Sequence, residues 1–193
     1  MNRIILASGS PRRRQLLEQV GIPHEVIVSD ADETIEGPPE VQVRELALRK
    51  ANAVRNIIKG DAIIIAADTL VYIDKKVLGK PSSPDDAYDM LKTLQGRGHT
   101  VYTGVAVLRA NDNNDEEKSF VNATQVYFRD LTDAEIWAYI STGEPFDKAG
   151  AYGVQEKGAL LVDRVEGDFF TVVGLPVAKL TGVLCEMGID VWR

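Results

Sequence analysis

A single cysteine, Cys185, stands among 193 residues, so the chain holds no internal disulfide and suits a reducing compartment. Its place beside Leu184 in a late helical stretch reads as core packing rather than as a nucleophile. Histidine is nearly absent too. His24 and His99 lie far apart, and with one cysteine they leave no His/Cys metal pattern. No apolar run approaches the roughly 20 residues of a membrane span. The Ile4–Ala7 run is too short for a signal peptide. Positive charge is in deficit, 22 Lys+Arg against 29 Asp+Glu for a net charge of -7, which argues against nucleic-acid polymers and anionic membranes as partners. Internal repeats and low-complexity segments are also missing. A cytoplasmic protein free of the membrane is expected.

What is present suffices for a substantial core, with 45% hydrophobic residues in a length that suits one domain or two joined lobes. The opening is the most informative stretch. The apolar Ile4-Ile5-Leu6-Ala7 reads as a buried strand and Gln15 to Val20 as an amphipathic helix. Between them lies Ser8-Gly9-Ser10-Pro11-Arg12-Arg13-Arg14. Ser10 suits the N-cap, Pro11 the first helical position and Gly21 the stop. Three arginines in a first turn oppose the positive pole of the helix. An anion docked there, such as a phosphate chain, resolves the conflict. A solvated basic turn is the alternative.

A strand is expected over His24–Val28, then an acidic loop with Asp30, Asp32 and Glu33, which reads either as solvated surface or as a hard-cation site. Pro38-Pro39 announces a helix from about Val41 to Lys59, with Val43, Leu46, Ala47, Val54, Ile57 and Ile58 inward. Lys50 falls on the same stripe and either snorkels or enters a polar cleft. The run Ala62–Ala67 reads as a doubly buried strand ending at Asp68-Thr69, where open α/β sheets place their ligands. Asp68 capping a turn is the alternative, but Leu70-Val71-Tyr72-Ile73 continues as strand, so no helix starts there for it to cap. Asp74-Lys75-Lys76 reads as a hairpin turn, followed by Gly79-Lys80-Pro81. Ser83-Pro84 opens a helix to about Gln95. Strands follow over His99–Arg109 and Ser119–Arg129 around a polar loop, Asn111 to Glu117. Thr132 and Glu135 form a capping box for a helix to about Ser141. In Gly143 to Gln155, small residues surround Asp147, Lys148, Tyr152 and Gln155. Such a loop admits close backbone approach, with Tyr152 free to stack and Gln155 able to read a base edge. A plain turn-rich loop is the other reading. A strand pair over Leu160–Val165 and Phe169–Val173, and a last helix to about Met187, complete an α/β fold with a mixed sheet and flanking helices.

Together these segments resemble the Maf family of nucleoside triphosphate pyrophosphatases. The resemblance rests on Leu6 to Arg13, Asp32-Glu33, Lys50-Ala51, Ala67-Asp68-Thr69, Gly79-Lys80-Pro81, Asp147 to Gln155 and Val173 to Pro176, in order along nearly the whole chain. It implies one domain over 1–193, elongated and two-lobed, similar to the inosine-triphosphate pyrophosphatases. It implies hydrolysis of a nucleoside triphosphate to monophosphate and pyrophosphate with a divalent metal, Mg²⁺ or Mn²⁺. Asp68 matches the proposed general base, and Glu33 with Asp68 would hold the metal. Ser8, Ser10, Arg12, Arg13, Lys50 and Lys80 would bind the triphosphate. Arg12, Thr69 and Gln155 match positions linked to substrate choice, and Gln155 goes with the subgroup acting on dTTP and UTP. Arg14 has no counterpart in the pattern. A homodimer is compatible with the resemblance. The alternatives are a non-catalytic nucleotide-binding regulator of cell division, or the same chemistry on another base such as 7-methyl-GTP.

Overall fold

The structure, a computed structural model, describes residues 3–111 and 115–192. Seven strands form one mixed sheet: β1 (Ile4–Leu6), β2 (Glu25–Val26), β3 (Ala62–Ile73), β4 (Lys76–Leu78), β5 (Gly98–Ala110), β6 (Glu116–Phe128) and β7 (Val162–Glu166). Their order is β2-β1-β3-β5-β6-β7, with β4 paired to β3. β1 runs parallel to β2 and β3, while β4 and β7 pair antiparallel. The helices are α1 (Pro11–Gln19), α2 (Pro39–Ile57), α3 (Pro84–Leu94), α4 (Asp133–Ile140), α5 (Phe169–Val173) and α6 (Val177–Glu186). Two compact units share these elements, one of 1–68, 103–122 and 174–193, the other of 69–102 and 123–173.

In the first unit, α2 lays Ala47, Ala51 and Val54 on the sheet face formed by Ile5, Ala7, Ala62, Ile64 and Ala66. Small residues on both sides let the layers approach closely. Gly104 marks a tight point of that approach, because a Cβ there would lie 2.3 Å from the Val43 carbonyl oxygen. Ile57, expected inward, is 66% exposed. It ends the helix, and the chain turns extended at Ile58 before the stripe can continue. Cys185, expected in the core, is exposed. The periodicity of α6 buries Val177, Leu180 and Leu184 and rotates the next residue outward.

In the second unit, α3 and α4 supply Leu91, Leu94 and Ile136 to a core with Val71, Val101 and Phe128. Each such side chain removed from water contributes about 2 kcal/mol. Ser83 caps α3 by accepting from the Asp86 amide at 3.1 Å, and Thr132 with Glu135 forms the expected capping box of α4. Asp74 and Lys75 both take positive φ, 49° and 62°, and close the β3–β4 hairpin in two residues.

Three expectations change. β3 joins the expected Ala62–Ala67 run to its expected continuation Leu70–Ile73 without a break, 12 residues in all, so the Asp68 carboxylate projects from mid-strand rather than from a strand's carboxyl end. The His24–Val28 strand shrinks to Glu25–Val26. Phe169–Val173 is a helix, not a strand. Asp168 decides this, since its carboxylate accepts from the Thr171 amide at 2.8 Å and the Thr171 hydroxyl at 2.6 Å. That local cap overrides the β preference of Phe, Thr and Val. Of the expected Asn111–Glu117 loop, 112–114 lie outside the described residues.

Candidate active site

The first unit gathers charge at one place, and helix periodicity and strand alternation together put it there. Lys50 lies on the face of α2 that carries Ala47, Ala51 and Val54. Asp68 lies on the face of β3 that carries Ala62, Ile64 and Ala66. Where the small residues end, lysine meets aspartate. Lys50 Nζ donates to Asp68 Oδ1 at 2.6 Å and forms an ion pair with Glu33 Oε1 at 2.7 Å. The Lys50 and Asp68 side chains are only 12% and 16% exposed, so bulk water screens this pair weakly. Lys50 therefore enters a polar site rather than snorkelling.

Glu33 arrives on the acidic loop, where the Asp32 carboxylate shapes the backbone. Asp32 Oδ1 accepts from the Thr34 amide at 2.9 Å, a bond that lowers the Asp32 pKa. Arg49 Nη1 donates to the carbonyls of Asp32 and Thr34 at 3.2 and 3.1 Å. Glu33 thus meets Lys50 from a turn braced on both of its flanks, at Asp32 and at Thr34. Arg49 had no signal of its own in the sequence.

The Ser8–Arg13 turn supplies the cations. Ser8, 7% exposed, accepts at Oγ from the Ser10 amide at 3.3 Å and from Arg13 Nη1 at 3.0 Å. Arg13 Nε donates to the Gly174 carbonyl at 2.8 Å, which pins the guanidinium. Burial lowers the Arg13 pKa, while Asp68 and Glu33 oppose the shift and Arg12 adds to it. Asp68, Glu33 and Arg12 thus all lie within electrostatic reach of Arg13. Ser10 occupies the N-cap position of α1, but its side chain makes no capping bond, and the first turn holds no acid. The positive pole of α1 therefore meets neither a capping side chain nor an acid in its own first turn, a state that favours an anion. Arg14 pairs with Glu18 at 3.4 Å, one turn along the same helix.

Residues 3–187 match the family described as Maf-like protein. The chain belongs to the Maf family. Among its relatives, one from Bacillus cereus (strain ZK / E33L), named dTTP/UTP pyrophosphatase, is 47% identical over 99% of this chain and 98% of its own. Another of the same name, from Thermoanaerobacter sp. (strain X514), is 50% identical over 94% of this chain and 95% of its own. Among solved structures, the Staphylococcus aureus Ham1 protein corresponds loosely, with a TM-score of 0.41 and 14% identity over 66% of this chain and 72% of its own.

The structure thus brings together Ser8, Ser10, Arg13, Glu33, Lys50 and Asp68 of this Maf chain, with Arg12 coupled to Arg13. Thr69, Lys80 and Gln155 belong to the second unit. Lys80 is exposed, in a turn tied by a 2.9 Å bond from the Gly150 amide to the Gly79 carbonyl. Gln155 is half-buried and extended, just before a residue of positive φ, Glu156 at 54°. Tyr152 does not present a free ring. It is 5% exposed and hydrogen-bonded through its hydroxyl to His99 Nε2 at 2.7 Å. The segment from Gly143 onward is organised by 3-10 turns at Glu144–Asp147, Ala149–Ala151 and Glu156–Leu161 rather than by a plain loop. Among the described residues no helix is long and apolar enough to cross a membrane.

Proposed function

We propose that this chain is a cytoplasmic Maf pyrophosphatase that acts as one domain over 1–193 and hydrolyses dTTP and UTP to the monophosphate and pyrophosphate. The observation that carries the reading is the Lys50 ammonium held at 2.6 and 2.7 Å between Asp68 and Glu33, beside Arg13. An acidic protein otherwise has little reason to concentrate cations at an uncapped helix start. The relatives' name supplies the substrate class.

In the reaction a water oxygen bonds to the α-phosphorus and the bond to the α,β-bridging oxygen breaks. Pyrophosphate leaves with the electron pair. Asp68 takes the proton of the attacking water. Arg12, Arg13 and Lys50 neutralise charge that grows toward the leaving group, and Lys80 adds to them. Ser8 and Ser10 position phosphate oxygens at the α1 N-terminus. Thr69, Arg12 and Gln155 select the nucleotide.

Glu33 and Asp68 fit a divalent metal, because Mg²⁺ is commonly held by one or two carboxylates and completed by substrate phosphates. Among the described residues no group of three or more His, Cys, Asp or Glu side chains gathers, so such an ion depends on the nucleotide for its other ligands. When bound it supplies Lewis-acid polarisation of phosphoryl oxygens.

The test is incubation of the purified protein with dTTP, UTP, CTP and 7-methyl-GTP, with products identified by ³¹P NMR. Monophosphate plus pyrophosphate from dTTP and UTP is the expected result. Release of inorganic phosphate, or tight binding without turnover, overturns the proposal. Preference for 7-methyl-GTP overturns the substrate assignment alone.

A further inference from the structure

The segment that carries Gln155 is closed on itself by one carboxylate. Glu144 Oε1 accepts from the Lys157 amide at 3.3 Å, and Oε2 accepts from the Gly158 amide at 3.2 Å. The Glu144 carbonyl accepts from Lys148 Nζ at 2.5 Å, and its amide donates to Thr142 Oγ1 at 3.1 Å. Both ends of the segment therefore meet at Glu144. Gly158 makes the closure tight, since a Cβ there would lie 1.9 Å from the Gly153 carbonyl oxygen. The Gly153 amide in turn donates to the Tyr139 hydroxyl at 3.2 Å. Gln155 stands between Gly153 and the clamped pair, with φ -103° and ψ 174°. No part of this clamp uses a group of the Lys50–Asp68 cluster.

An amide side chain reads a pyrimidine-2,4-dione only with its oxygen toward the ring N–H, from which it accepts, and its N–H₂ toward a neighbouring ring carbonyl, to which it donates. That demands a fixed backbone, because a free loop would let the amide flip or withdraw. From this geometry we infer that Glu144 is a positioning residue for base selection. Its carboxylate holds the Lys157 and Gly158 amides so that Gln155 is presented in register to thymine or uracil. The inference rests on the proposed reading of the base by Gln155.

Glu144→Gln keeps the side-chain size but turns an amide N–H₂ toward one of the two backbone donors. The protein is assayed on dTTP and on ribose 5-triphosphate, which has the phosphates and no base. The expected result is a KM for dTTP raised about tenfold with kcat nearly unchanged, and kcat/KM for ribose 5-triphosphate within about twofold. Amide hydrogen exchange in Glu144→Gln should accelerate at Lys157 and Gly158 and stay unchanged in β3 and α2. An equal loss on both substrates, or no change on either, overturns the inference. Gln155→Ala is run alongside. If it collapses the preference for dTTP while Glu144→Gln does not, the positioning role fails and base reading by Gln155 stands. If Gln155→Ala leaves the preference intact, base reading fails and the inference with it.

Discussion

The two units keep their polar groups in opposite states. In the first, Lys50, Asp68, Glu33 and Arg13 are charged and crowded, and each relies on the others for compensation. In the second, the buried polar pair is neutral. His99 is 2% exposed, donates to or accepts from Tyr152 at 2.7 Å, and packs edge-on to Phe128 with ring centroids 5.2 Å apart. Burial pushes its pKa down to about 4 and pushes that of Tyr152 up. A charged cluster that is only partly enclosed can exchange its internal partners for a substrate's charges. A sealed neutral pair has no such freedom and serves rigidity. The difference predicts that substitutions in the charged cluster cost turnover, whereas those at the sealed pair cost stability.

The strongest way to break that contrast is Asp68→Asn. It should lower pyrophosphate release by about a thousandfold while the melting temperature moves little. Near-normal turnover would remove Asp68 as proton acceptor. Next comes the pH dependence of unfolding. His99 has an ordinary value of 6.5 and a folded value of about 4. Between these the unfolded chain binds a proton that the native chain does not, so stability falls as pH drops through that window. The loss totals about 3 kcal/mol, and the difference in stability between pH 7 and pH 4.5 should shrink by about that amount in His99→Phe, measured by denaturant titration. Gly104→Ala follows, with a loss of about 2 kcal/mol in the same titration, because the Val43 backbone blocks a side chain. The smallest effect is Gln155→Glu, which should shift relative kcat/KM between dTTP and other nucleotides by about tenfold with little change in melting temperature.

Much of the first unit was legible because its signals conflict locally. A lysine on an apolar stripe, an aspartate within a hydrophobic run and arginines at a helix start each violate a one-element rule, and each resolves at the same cluster. The second unit was harder to read. Nothing in Phe169–Val173 announces that Asp168 will start a helix, and the expected stacking role of Tyr152 gave way to a bond with a histidine 53 positions earlier. Glu144 likewise acts through two backbone amides more than a dozen residues on. Such long-range use of main-chain donors leaves no periodicity to detect. Cys185 and Ile57 failed for simpler reasons: one residue of helical rotation separates Cys185 from the core, and the helix ends at Ile57.

Mid-strand placement of Asp68 bears on how this chain tolerates changes of length. Inserting one residue between Ala62 and Ala67 would send every later side chain of β3 to the opposite face of the sheet. Val71 and Ile73, packed in the second core, would then trade places with their neighbours. The proposed proton acceptor is thus carried by a stretch whose spelling can drift but whose residue count cannot.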